Sequence, residues 1–350
     1  MFGDIIGNSN VKAILARLAA GGRIPHSLLF AGDEGIGKKQ FALELARSIV
    51  CRNPTNGEPC GICPSCERVG KFVFPKPDAD ADEFKKVIYS AHPDVAMIIP
   101  RNRNILVDAV RDLEREANFL PFEARARVFI VDDAEKMNDA ASNALLKTLE
   151  EPPPTAYLFL LTSRPDSLLA TIRSRCQLVR FAPVAVAEIE SFLSKEKGMA
   201  GGDASLAARL AKGSVGRSAC VDLKKLKARR ELMLGVLRAI LADGDRRALL
   251  RIGEKMNDAA NKDQYEDNLD ILETLIRDIW LLRVGEEAEM LVNIDLAAEL
   301  GSLSENTDAK HLNSWLGEIE TMREGLIVNI NRKIATDALF MEMAGYRDLF

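Results

Sequence analysis

The last 167 residues of this 350-residue chain, 184 to 350, contain no proline, although 14 prolines stand between Pro25 and Pro183. Proline interrupts helix interiors and punctuates turns, so its absence over that length predicts an almost wholly helical C-terminal half. Positive charge is not in excess: the net charge is −5 and the sequence pI about 5.5, which excludes a general basic coat for gripping nucleic acid. Aromatic residues are sparse at 6%. No apolar run approaches the ~20 residues that span a bilayer. The opening stretch MFGDIIGNSN lacks a basic segment followed by an apolar one, so a soluble, cytoplasmic protein is expected. With 47% hydrophobic and 28% charged residues, the chain is long and apolar enough for two or three domains with real cores.

The two halves are patterned differently. Ser27–Phe30, Val128–Val131 and Tyr157–Leu161 are short apolar runs that read as strands buried on both faces. Helical patterns over Lys38–Val50, Val107–Asn118 and Asn138–Glu150 separate them, and this alternation predicts a parallel α/β sheet. Beyond a boundary near Phe181-Ala182-Pro183, apolar residues recur every three to four positions. Examples are Leu269, Leu272, Leu275, Ile276, Ile279 and Leu282, and again Ile327, Ile330 and Ile334, which read as helix-packing faces. A softer boundary falls near 222–224. Residues 71–91, with two prolines and an acidic patch, read as a mobile surface insertion. Cys176 and Cys220, isolated in the sequence, read as buried packing residues.

Between the first strand and its helix stands Gly32-Asp33-Glu34-Gly35-Ile36-Gly37-Lys38, the strand–loop–helix setting of a phosphate-binding loop. Glycines let successive N–H groups turn inward, the helix N-terminus adds positive potential, and Lys38 neutralises terminal phosphates. The next residue should be Ser or Thr, whose hydroxyl ligates Mg²⁺. It is Lys39, which has no lone pair to offer, so the metal site is doubtful. The strand Arg127–Val131 runs into Asp132, placed to reach Mg²⁺ through water, and Asp133 follows where many ATPases carry a glutamate. Lys39 and Asp133 together speak against efficient hydrolysis.

Cys51, Cys60, Cys63 and Cys66 fall within sixteen residues among Gly57, Pro59, Gly61 and Pro64. In a reducing compartment such spacing reads as metal binding. Four thiolates suit tetrahedral Zn²⁺ and leave no open coordination position, so the metal would be structural. An iron–sulfur cluster is the alternative, since the last three cysteines echo part of a ferredoxin spacing.

With these motifs assembled, the chain resembles the AAA+ clamp-loader subunits of bacterial DNA polymerase III. The resemblance runs from Phe2–Gly7 through Arg23-Ile-Pro-His26, the phosphate loop, the four-cysteine module, His92-Pro-Asp94 and Asn143–Pro153 to Leu168–Cys176. It is dense over residues 2 to about 217. Beyond them it rests on helical character and on Asn329-x-Asn331. It implies a P-loop AAA+ nucleotide-fold domain over 1–182 carrying the zinc module at 51–66, a small helical lid at 183–223, and an all-α collar at 224–350. Ser174-Arg175-Cys176 matches the family's SRC motif, so Arg175 is implied to act in trans as an arginine finger on a neighbour's ATP. Thr162 and Arg217 match the two nucleotide-sensing positions. Together with Gly32, Gly35, Gly37, Lys38 and Asp132, they make up the implied nucleotide site for ATP or ADP.

Catalytic members of the family carry Gly-Lys-Thr and Asp-Glu where this chain has Lys39 and Asp133. Those departures imply a largely non-hydrolysing subunit of a five-membered ring with catalytic AAA+ subunits and delta. The ring loads the sliding clamp onto primed DNA in the cytoplasmic, nucleoid-associated replication machinery. Two alternatives stay open at this point. One is a self-sufficient ATPase in which water replaces the missing hydroxyl. The other is a zinc-bearing nucleic-acid-binding module, for which Arg101, Arg103 and Arg111 are the modest basic cluster.

Overall fold

A computed structural model describes residues 2–258, 264–327 and 331–345 of the chain. Ile330 and Asn329, named above, lie outside the described residues, as does the side chain of Ile327. The chain divides into two compact units, one formed by residues 1–192 with 212–217, the other by 193–211 with 218–350.

The first unit is built on six strands: β1 (Ser27–Ala31), β2 (Ile88–Tyr89), β3 (Val95–Ile98), β4 (Arg127–Val131), β5 (Ala156–Thr162) and β6 (Gln177–Arg180). They form one sheet in the order β2-β3-β4-β5-β1-β6, parallel except for β2. Every residue of β1, β3 and β4 is buried, as strands covered on both faces require. The helices are α1 (Ser9–Ala20), α2 (Lys38–Val50), α3 (Pro64–Arg68), α4 (Val107–Ala117), α5 (Asp139–Glu150) and α6 (Ala170–Arg173), with α7 (Val186–Glu196) beginning in this unit. Ala31 pairs with Thr162 and Val131 with Leu160, so the C-terminal ends of β1, β5 and β4 lie side by side. β1 lies between β5 and β6, the chain leaves it toward β2 on the β5 side while the connection from β5 passes it to reach β6, and α/β folds place ligands beyond the C-terminal ends of strands at such a point.

Residues 71–83 lie at the surface as expected, whereas the end of the 71–91 segment is docked. Phe84 and Val87 are buried, Ile88 and Tyr89 pair with Met97 and Ala96 as the sheet's antiparallel edge, and Ala91 N–H donates to the Lys71 carbonyl at 2.8 Å.

His92-Pro93-Asp94 anchors the turn before β3. The buried Asp94 carboxylate accepts the backbone N–H groups of Phe122, Glu123 and Ala124 at 2.6, 2.9 and 2.9 Å. It thereby holds out a loop on which Phe119, Leu120 and Phe122 are exposed. Charged acceptors of several backbone donors are costly to delete, because the donors stay buried. Asp94→Ala should therefore lower unfolding free energy by about 3 kcal/mol, read as a shifted denaturant midpoint at unchanged slope.

His92 is fully buried. Its Nδ1 accepts the Asp94 N–H at 3.2 Å, leaving the proton on Nε2, 3.1 Å from Glu123 Oε1. Burial pushes this imidazole below its ordinary 6.5, against the pull of Glu123 and Asp94. The unfolded chain thus takes up a proton that the folded one refuses. Stability from this site is complete above about pH 6.5 and is lost as pH falls through the depressed folded value. Melting curves between pH 7.5 and 5 should show that loss, and His92→Asn should flatten it.

The second unit is helical, as the missing prolines predicted. It contains α8 (Gly201–Leu210), the end of α9 (Val215–Ala219), α10 (Leu223–Arg238), α11 (Arg246–Asn257), α12 (Tyr265–Arg283), α13 (Ala297–Ser304), α14 (Ala309–Ile327) and α15 (Arg332–Met343). Leu269, Leu272, Leu275, Ile276 and Ile279 of α12 are buried and Leu282 packs against the same core. Two expectations fail. Ile334 is 68% exposed, on the side of α15 opposite the buried face that Thr336, Leu339, Phe340 and Met343 form. Cys220 is exposed, whereas Cys176 is buried as expected.

Candidate nucleotide site and metal centre

The phosphate loop connects β1 to α2 as its sequence requires. Gly37 caps α2 at φ 104° and Gly35 turns at φ 73°, both in the left-handed region open to glycine. A Cβ at Gly35 would lie 2.3 Å from Ser214 Oγ, so the position is closed to side chains by crowding as well. The Gly216 N–H donates to the Gly35 carbonyl at 2.8 Å, and Arg217 reaches Glu34 at 3.8 Å. The segment carrying Arg217 is thus hydrogen-bonded to the loop itself. Gly32 N–H donates to the Thr162 carbonyl, which ties the loop's first residue to the end of β5.

Lys38 Nζ donates to the carbonyls of Gly32 at 2.5 Å and Asp33 at 2.8 Å. Burial pushes its pKa down, against Glu135, Asp133, Asp132 and Asp33. Lys39 does more than remove a hydroxyl. Its Nζ lies 2.5 Å from Asp132 Oδ2, the carboxylate expected to face Mg²⁺, and 5.8 Å from the centre of the Phe74 ring. Phe74 stacks in turn on Phe72. Burial raises the Asp132 pKa, and Lys39 is the largest influence lowering it.

Asp133 adopts φ 48°, uncommon outside glycine, and its carboxylate accepts from Lys136 at 2.8 Å. It is therefore already engaged rather than free to orient water. Thr162 is fully buried, its Oγ1 accepting the Arg164 N–H at 3.1 Å. Beside it Glu135 accepts from the Ser163 hydroxyl and from the Ser163 N–H at 3.1 Å. Burial pushes the Glu135 pKa up, but the bonds from Ser163 prevail and hold it below its ordinary value. Glu135, Phe74 and the reach of Lys39 were not legible as site features, because each depends on which strand ends lie together.

Arg175 is held within its own chain. Its guanidinium meets Glu150 Oε1 at 2.6 Å and donates to the Thr171 carbonyl at 3.0 Å and the Ser174 hydroxyl at 3.4 Å. None of these partners belongs to the phosphate loop. The structure thus gathers Gly32, Gly35, Gly37, Lys38, Asp132, Thr162 and Arg217 around one crevice and leaves Arg175 outside it.

The four cysteines converge. The sulfurs of Cys51, Cys60, Cys63 and Cys66 all lie within 4.8 Å of one another, with Cys51–Cys60 at 3.6 Å and Cys60–Cys66 at 3.9 Å. A tetrahedral ion with bonds of about 2.3 Å sets its sulfurs about 3.8 Å apart. The cluster therefore fits one zinc ion better than a cubane, whose irons would each take a separate thiolate and spread them. Backbone N–H groups of Cys60 and Cys66 donate to the sulfurs of Cys51 and Cys63 at 3.3 and 3.4 Å, favouring thiolates. Against the upward push of burial, N–H groups of Arg52 and Cys66 bring the Cys63 thiol down to about 6. Glu123 links the module to the sheet, pairing with Arg68 and, at 3.4 Å, with Arg52.

Comparison with known proteins identifies relatives of the chain. The profile of a family described as DNA polymerase III, delta subunit, matches residues 7–77 and 74–185, and that of its C-terminal domain matches 224–343. The chain is 32% identical over 330 residues to the DNA polymerase III subunit delta' of Escherichia coli (strain K12), covering 93% of this chain and 90% of that one. To the delta' subunit of Bacillus subtilis (strain 168) it is 28% identical over 274 residues, covering 77% and 76%. Among solved structures, a gamma subunit-related protein of DNA polymerase III from Thermotoga maritima is 19% identical and superposes with a TM-score of 0.39, covering 96% and 98% of the two chains. With both profiles matched and nine-tenths of the chain aligned at 32% identity, the chain belongs to the delta-prime family of DNA polymerase III subunits.

Proposed function

We propose that this chain is a largely non-hydrolysing clamp-loader subunit of DNA polymerase III. It supports ATP-driven loading of the sliding clamp onto primed DNA, and hydrolysis takes place in its neighbours. The observation that carries the reading is the Lys39–Asp132 ion pair at 2.5 Å. An ammonium stands against the carboxylate that would face Mg²⁺, and the adjacent Asp133 is turned to Lys136. Misplacing a water-orienting group by about 1 Å can cost on the order of a hundredfold in rate, and here the metal ligand is missing as well.

Within that role the loop of Gly32, Gly35, Gly37 and Lys38 holds a nucleotide's phosphates, while Thr162 and Arg217 report its presence. The bond from Gly216 to Gly35 supports this, because phosphate entering the loop would bear on the segment that carries Arg217. Arg175 serves a neighbour's ATP, exchanging Glu150 for phosphate oxygens. Zinc, held by Cys51, Cys60, Cys63 and Cys66, is structural. The chain is organised as an AAA+ domain at 1–182, a lid at 183–223 and a collar at 224–350. The first profile match ends at 185 and the second begins at 224, which supports the outer bounds of the lid, while its residues 183–192 and 212–217 pack within the first compact unit. Among the described residues no helix is long and apolar enough to cross a membrane, consistent with a cytoplasmic, nucleoid-associated machine. The exposed Phe119, Leu120 and Phe122 are the kind of apolar surface that assemblies bury.

Reconstitution tests the role. Catalytic subunits and delta mixed with this chain should form a five-membered ring with one copy of it by native mass measurement, and leaving it out should abolish clamp loading on primed DNA. Undiminished loading in its absence would contradict the role.

A further inference from the structure

We propose that Lys39 is a built-in replacement for the divalent ion, so that the phosphate loop binds a nucleoside polyphosphate without Mg²⁺. The inference deepens the reading above and rests on its claim that the loop still holds nucleotide. A phosphate loop that binds a metal–nucleotide complex needs a hydroxyl ligand at the residue after its lysine and a carboxylate facing the ion. Here the hydroxyl is gone and the carboxylate is taken: Lys39 Nζ sits 2.5 Å from Asp132 Oδ2. A divalent ion in that place would have to displace the ammonium and would then lie beside it, cation against cation.

The ammonium is also well placed to do the ion's electrostatic work. It has three donors, and Asp132 engages one side of it. The Phe74 ring, itself 41% exposed, lies 5.8 Å away, an attractive geometry for a cation. The preceding residue, Lys38, spends its donors on the carbonyls of Gly32 and Asp33, partners that phosphate oxygens can replace. One ammonium group on the loop's own carbonyls, a second on Asp132 at the end of β4, and the N-terminus of the 13-residue α2 therefore lie at this site. That supplies counter-charge to a di- or triphosphate tail, with no ligand set for a metal. It also separates binding from hydrolysis, because no metal-bound water or bridged γ-phosphate is formed.

The test is calorimetric titration of the zinc-loaded full-length protein with ATP and with ADP. It is run in metal-depleted buffer and again with millimolar Mg²⁺, omitting chelators so that the cysteine module stays loaded. Affinity should change by less than about threefold between the two buffers, or be tighter without Mg²⁺. Lys39→Thr should bind at least tenfold more weakly without Mg²⁺ and recover with it, while Lys39→Arg, which keeps the charge, should stay indifferent to the metal. Tenfold or stronger dependence of the wild type on Mg²⁺ would overturn the inference and leave nucleotide binding standing. Binding by Lys39→Thr with Mg²⁺ but none by the wild type would overturn it by making Lys39 a plug. Absence of binding in every protein and buffer would overturn nucleotide binding itself.

Discussion

In a reconstituted loader, Arg175→Ala should lower ATP turnover at the neighbouring subunit's site by about 10³-fold, the lower end of what an arginine supplied in trans is worth. Under the proposed role, the guanidinium would have to leave the partners it has at rest. Glu150 pairs with it at 2.6 Å, and it donates to the Thr171 carbonyl and the Ser174 hydroxyl. The guanidinium is therefore oriented before any partner arrives and is only partly buried, with its side chain 33% exposed. A planar fork can pass from a carboxylate to phosphate oxygens with little loss of hydrogen bonding, which a lysine cannot reproduce. Arg175→Lys should accordingly recover only a small part of the loss. Because the side-chain bonds of Arg175 to Glu150, Thr171 and Ser174 are made at exposed positions, both variants should melt within about 1 °C of the wild type. Single-turnover hydrolysis in rings carrying one active neighbour separates that site from the others. Turnover unchanged within twofold would remove Arg175 from the mechanism.

Loss of zinc is the second large effect. The module has little apolar core of its own, and its turns at Gly57 and Gly61 are held in positive-φ conformations. Zinc held by the four thiolates would supply the missing cohesion, and structural zinc sites are worth on the order of 10–16 kcal/mol in apparent binding energy at neutral pH. Cys66→Ser removes a buried ligand and should abolish stoichiometric zinc in the purified protein. It should also expose residues 51–70 to proteolysis and destabilise the first unit by on the order of 3–5 kcal/mol. The damage should spread to the sheet, because Arg52 and Arg68 of the module pair with Glu123, which also faces His92. Retention of one zinc per chain by Cys66→Ser, with unchanged proteolysis, would contradict the assignment.

The sequence was informative where structure is local and mute where it is not. β1, β4 and β5 were legible because each is a short apolar run covered on both faces, and α2, α4 and α5, which separate them, begin and end within a residue of their patterns. β6 was missed because it is an edge strand, with Gln177, Leu178 and Arg180 exposed and only Val179 buried. β2 has two residues and owes its existence to β3. Convergence of the four cysteines could be anticipated because the turn residues between them leave few other arrangements. The Lys39–Asp132 pair could not, since it joins residues 93 positions apart through the order of strands in the sheet. Sequence reasoning saw the loss of a metal ligand and had no means of seeing what replaced it. The same limit applies to Glu135, which enters the site only because the segment after β4 lies beside the end of β5.

The most direct test of the account is steady-state Mg·ATP hydrolysis by the isolated, zinc-loaded chain, with Lys38→Ala as control. The account predicts turnover no greater than that of the control. Clear turnover that Lys38→Ala abolishes would mean that Lys39 and Asp133 are tolerated, and that this subunit is a motor in its own right.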